Sequence, residues 1–115
     1  MVYQALEAAK TLEADGISIR VINLHTIKPL DIEGVQAAAK GMKGAVTVEE
    51  ASVIGGMGSA VCEALAEGPA ESRIKVLRMG IQDCFGTSAQ TYEELLTAYH
   101  LMPQDIVERV KEAIV

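Results

Sequence analysis

Three short apolar runs limit what this chain can fold into: ISIRVINL at 17–24, AVTVEE at 45–50 and SRIKVLRM at 72–79. Each is rich in β-branched residues and bounded by turn formers, so each predicts a strand. Around them the apolar residues recur at helical spacing. Val2, Leu6, Ala9 and Leu12 share a face over 2–14, with Asp15-Gly16 as the stop. Pro29 breaks the chain and Asp31 is a good N-cap for an amphipathic helix over 32–40. Val61 and Leu65 stand four apart in a helix over 59–66. Thr91-Tyr-Glu-Glu94 is a capping box opening a helix with Leu95 and Leu96, and Pro103 suits the first turn of a last helix faced by Ile106, Val107, Val110 and Ile114. Strands joined through single helices are expected to be parallel, with right-handed crossovers. The pattern predicts a three-layer α/β/α domain with a mainly parallel sheet, one domain over 1–115. Lys75 and Arg78 place the third strand near a sheet edge.

Composition narrows the class further. The chain has 115 residues, room for one domain. Half of it is apolar, yet it holds three tyrosines, one phenylalanine and no tryptophan, so its core is aliphatic, as where helices cover a parallel sheet. A formal charge of −6 argues against a nucleic-acid binder, which needs a basic face. No apolar run approaches the roughly 20 residues that span a bilayer. Cys62 and Cys84 lie outside any CxxC or Cys/His cluster, which argues against zinc. No secretory signal precedes them, so both read as reduced thiols in a cytoplasmic protein.

In a parallel sheet the loops leaving the strands' C-terminal ends gather on one edge, where open α/β sheets bind ligands. Three loops qualify here: 23–31, 49–59 and 80–88. In the second, Gly55, Gly56, Gly58 and Ser59 stand before a helix, whose free N–H groups attract anions. The spacing is neither G-x-G-x-x-G nor a Walker loop, and Glu49 and Glu50 beside it would repel a phosphate. The alternative is a packing turn in which the glycines allow positive φ and close helix–sheet approach. Glu49 and Glu50, adjacent in a strand, point to opposite faces, which suits a helix cap or an interface better than paired-carboxylate chemistry. His25, with Lys28 and Asp31 nearby, sits at a strand end as a general base would, but no nucleophile adjoins it, so a structural or interface role is favoured. Asp83 and Cys84 are loop residues with no visible partner, and Asp83 is a further interface candidate. His100 falls in a turn between helices and is expected to be exposed. Two further readings stay open: a small regulatory module binding an anion or nucleotide at 55–59, and a free-standing enzyme using His25 or Cys84.

The runs NLHTIKPLD at 23–31, TVEEASVIGGMGSAV at 47–61 and GIQDCFG at 80–86, in this order, resemble the C-terminal domain of transketolase, above all the separately encoded C-terminal section of split transketolases. The opening MVYQALEAAKTLEADGI and the ending YEELL…YHLMPQDIVERVKEAI extend the resemblance over nearly the whole chain. Similar domains occur in deoxyxylulose-phosphate synthase and in the beta subunits of 2-oxoacid dehydrogenases, but HTIKP favours transketolase. The resemblance implies part of an enzyme that moves a two-carbon ketol unit between sugar phosphates in the pentose phosphate pathway. Thiamine diphosphate and a divalent metal are then held by the diphosphate-binding and pyrimidine-binding domains at the interface of a homodimer. Neither domain lies in this chain, which is implied to be an assembly domain, inactive alone, with no catalytic, cofactor or metal residue of its own and no nucleic-acid or membrane partner.

The order of elements opens on a helix and offers three strands to five helices. The resemblance implies a larger mixed sheet, with a strand just ahead of Met1 lying between the runs at 17–24 and 45–50. The chain is therefore expected to be truncated at its N-terminus. Its two neighbouring strands would then face a gap with unpaired N–H and C=O groups.

Overall fold

The computed structural model describes all 115 residues. Helix α1 spans Val2–Ala14 and buries Ala8, Ala9 and Leu12. It stops where the sequence predicts: the Asp15 N–H reaches back to the Thr11 carbonyl, Gly16 takes φ +79°, and the Ile17 N–H donates to the Leu12 carbonyl at 2.9 Å. Helix α2 spans Ile32–Ala39, with the Asp31 carboxylate accepting from the Gly34 N–H at 2.9 Å. Strand β1 is Gly44–Ser52, helix α3 Met57–Ala66 and strand β2 Lys75–Ile81. Helices α4, Tyr92–Ala98, and α5, Pro103–Ala113, complete the chain, with the Thr91–Glu94 capping box and the Pro103 start both present.

β1 and β2 pair in parallel from Gly44 opposite Lys75 to Val48 opposite Met79, and a bulge shifts the register before Ser52 meets Ile81. Side chains alternate across this layer. Val46, Val48 and Met79 join Leu12, Leu101, Ile106 and Val107 in one apolar cluster under α1 and α5. On the other face Val76 and Ile74 pack with Ala39, Val61 and Leu65 of α2 and α3. The result is helix, sheet, helix, and this α/β architecture is the class the periodicity predicts.

Two strand expectations need correction. The third run begins later than expected: Ala70–Ser72 form a 3-10 turn closed by the Ser72 N–H and hydroxyl on the Pro69 carbonyl, so pairing starts at Lys75. More consequential, residues 17–24 form no strand, and the sheet has two strands only. The segment still has the habit of one. Ile17, Ile19 and Val21 are half-buried while Ser18, Arg20 and Ile22 are exposed. Ile17 and Ile19 pack on the α1/α5 cluster, whereas the Arg20 guanidinium donates to the Ala38 carbonyl in α2 at 3.3 Å. What is missing is the ladder: residues 18–29 make no backbone–backbone hydrogen bond, and β1 pairs along its β2 edge alone. β-branched propensity makes a chain extended, but a strand needs a second backbone to bond.

Amide exchange should expose this difference. The N–H groups of 18–24 and those on the free edge of β1 are expected to exchange rapidly, and the β1–β2 ladder slowly. Protection of 18–24 comparable with β2, seen by mass spectrometry or NMR, would show a pairing that this architecture lacks.

Candidate functional site

The turn 53–59 forms at the C-terminal end of β1. After Ser52 the chain leaves the sheet, and the Ser52 hydroxyl accepts from the Ile54 N–H at 3.1 Å. Gly55 takes φ +74°, a left-handed conformation that costs a side-chain-bearing residue about 1 kcal/mol or more. Gly56 is the N-cap residue of α3 and has no side chain to cap with.

The cap comes from the strand instead. Glu49 is buried, and its two carboxylate oxygens accept from the first N–H groups of α3: Oε2 from Met57 at 2.7 Å and Oε1 from Gly58 at 3.0 Å. The N–H groups of Ser59 and Ala60 turn back to the Gly56 carbonyl. The donors that would cradle a phosphate are therefore taken by the protein's own anion, which also repels a second one. This cap explains why α3 begins at Met57, two residues ahead of the start at 59 that apolar spacing suggests.

A second group closes the turn from β2. Arg78 Nη1 donates to the Val53 carbonyl at 2.5 Å and to Ser59 Oγ at 2.9 Å. Ser59 Oγ donates to the Val53 carbonyl at 3.0 Å and accepts from the Gly55 N–H at 3.1 Å, so Ser59 is a brace of the turn. Sequence spacing marks Arg78 only as an edge cation; its even register with Val76 places it on the α3 face. Close approach also explains Gly58. A Cβ there would lie 2.5 Å from Thr47 Oγ1 and 3.0 Å from Arg78 Cγ. The Thr47 hydroxyl is buried against α3 and has no hydrogen-bond partner.

The other sequence candidates do not converge on this turn. His25 is exposed, with Nδ1 2.7 Å from Thr26 Oγ1. Asp83 is exposed in the left-handed region at φ 45°, and Cys84 is a free, exposed thiol. Glu50 points away from Glu49, as adjacent strand residues must, and is exposed; its carboxylate receives the Tyr92 hydroxyl. That hydrogen bond, with some desolvation, raises the Tyr92 phenol above its ordinary value of 10.0. His100 is exposed, in the turn before α5.

The comparisons with known proteins agree with this fold. Residues 1–106 match the family model "Transketolase, C-terminal domain". The chain belongs to the transketolase C-terminal domain family. It is 41% identical over 112 residues to the 6-deoxy-6-sulfo-D-fructose transketolase subunit SqwH of Clostridium sp. (strain MSTE9), covering 97% of this chain and 34% of that one. It is 40% identical over 109 residues to a putative transketolase C-terminal section of Methanocaldococcus jannaschii, covering 95% and 33%. Among solved structures it superposes on a split-gene transketolase, described as an inactive beta4 tetramer, with a TM-score of 0.86 at 44% identity, over 98% of this chain and 36% of that one. The chain thus spans about a third of the length of these two curated relatives.

The cap makes three substitutions informative in chemical denaturation. Glu49→Ala should cost about 2–3 kcal/mol, since it strands two N–H groups bonded to a charged acceptor. Gly58→Ala should cost about 1–3 kcal/mol by overpacking against Thr47 and Arg78. Thr47→Val, which removes an unpaired hydroxyl at constant shape, should be neutral or raise stability by about 1 kcal/mol. A neutral Glu49→Ala would show that the cap is not what holds α3. The raised Tyr92 phenol gives a separate check: in a tyrosinate absorbance titration, Tyr92→Phe should remove a phenol that ionises above the ordinary value of 10.0.

Proposed function

We propose that this chain is the C-terminal assembly section of a thiamine diphosphate-dependent transketolase, inactive by itself, within an enzyme that transfers a two-carbon ketol unit between sugar phosphates. The observation that carries the reading is the occupation of the α3 N-terminus by Glu49. In a family whose complete enzymes handle phosphorylated compounds, the most obvious phosphate cradle of this chain is bonded to its own carboxylate. A diphosphate does not fit at Gly55–Ser59, where Glu49 already holds the helix N–H groups. The cofactor and its divalent metal belong, on this reading, to the diphosphate-binding and pyrimidine-binding domains of a cytoplasmic homodimeric enzyme.

The role left to this section is mechanical. It offers a rigid three-layer body whose sheet is unfinished along one edge of β1, and an unfinished edge favours association with another backbone. We take the gap between 17–24 and β1 to be filled by a strand from elsewhere in the assembled enzyme.

The test is reconstitution. The cofactor-binding domains, expressed separately, should show weak ketol transfer in a coupled sugar-phosphate assay, and addition of this chain should raise it in a saturable manner, while the chain alone shows none. Full activity of those domains without the chain would remove the assembly role. Binding of phosphate or nucleotide at 55–59, followed through the amide signals of that turn, would instead favour a regulatory module.

A further inference from the structure

Phe85 is the one phenylalanine of the chain, and its side chain is 100% exposed. A large apolar side chain fully in water ordinarily sits on a mobile tip; here the backbone beside it is held. Tyr99, at the C-terminal end of α4, accepts the Thr87 N–H at 2.7 Å, and its hydroxyl reaches the Phe85 carbonyl at 3.4 Å. Glu94, inside the α4 capping box, accepts the N–H groups of Gln90 and Thr91 at 2.9 and 3.3 Å. α4 in turn is tied to β1 through the Tyr92 hydroxyl on Glu50 and is seated in the core by Leu96. The loop is thus clamped on its C-terminal side while its one aromatic ring points outward. Much of the ordering cost of an interface anchor is already met in such an arrangement.

The surroundings say what kind of surface would receive it. The loop leaving β1 at the same end of the layer carries an exposed aliphatic residue, Ile54 at 65%. From Met79 to Glu108 the sequence has no lysine or arginine, but it has Asp83, Glu93, Glu94, Asp105 and Glu108. Asp83 and Glu93 are exposed on either side of the Phe85 loop. An apolar anchor within an acidic tract is complementary to an apolar pocket rimmed by basic side chains.

We propose that Phe85 anchors a docking surface for the cofactor-binding part of the enzyme, entering an apolar pocket rimmed by lysine or arginine. This rests on the assembly reading above and names the residue and the partner chemistry through which assembly occurs. Charge steers the encounter through Asp83 and Glu93, and burial of the ring holds the complex.

The experiment is calorimetric titration of the separately expressed cofactor-binding domains with the complete 115-residue chain, wild type or variant. Phe85→Ala should weaken the dissociation constant by about 30-fold or more, as expected of a hot spot, with an unchanged circular dichroism spectrum. Phe85→Leu should recover part of the loss. Asp83→Asn with Glu93→Gln should weaken binding less, and should flatten the fall of affinity with rising salt seen for the wild type. Tyr3→Ser, on the exposed flank of α1, is the control and should bind as wild type. No binding by the wild-type chain would overturn the assembly reading itself. Wild-type binding matched by Phe85→Ala would leave that reading intact and overturn the anchor. Sensitivity to Phe85→Ala without salt dependence would overturn the basic rim. Self-association of the chain in sedimentation, abolished by Phe85→Ala, would give the pocket to a second copy instead.

Discussion

The two hydrogen bonds from the first turn of α3 to the Glu49 carboxylate organise much of this molecule. They join the end of β1 to the start of the next helix across a turn with no capping side chain of its own, and they place a negative charge where the helix dipole favours it. The carboxylate leaves the water to do so, and each of its oxygens finds a donor, as a buried charge must. Arg78 and Ser59 then close the turn from the β2 side. The need for small residues at 56 and 58 follows from how closely this strand, turn and helix approach one another. A feature that in isolation looks like a ligand cradle is thereby a joint in the scaffold.

The second constraint is the shortage of backbone partners. β1 is covered by helices on both faces and by β2 on one edge, while its other edge has no ladder. Residues 17–22 keep the alternation of a strand, and Ile17, Ile19 and Leu24 pack on the same two clusters, yet no backbone–backbone hydrogen bond joins 18–24 to a neighbour. Hydrophobic burial alone can position a segment; it cannot pair its backbone. In the family to which the chain belongs, the Clostridium and Methanocaldococcus relatives are about three times as long.

The region 80–100 shows how tertiary contacts give form to a stretch with no regular pattern. Three tyrosine and glutamate contacts, Tyr99 on the loop, Glu94 on the turn and Tyr92 on Glu50, hold residues that periodicity leaves unassigned. None of these partnerships has a sequence signal apart from the capping box, because each joins residues whose separation is set by the fold and not by a turn of helix or a step of strand.

Much was legible in the order of residues. The helices, the Asp31 and Thr91 caps, the Gly16 stop, the Pro103 start and the α/β class follow from local spacing and local hydrogen bonding, which act within a few residues. The strand-to-helix motif at 48–59 also located the turn that matters. Its chemistry was decided only in three dimensions: that Glu49 and not a ligand caps α3, that Arg78 reaches over from the neighbouring strand, and that 17–24 stays unpaired. Propensity is a property of a segment, but a ladder, a cap supplied from another element and a buried charge are properties of two segments brought together, and only the packed chain determines which two they are.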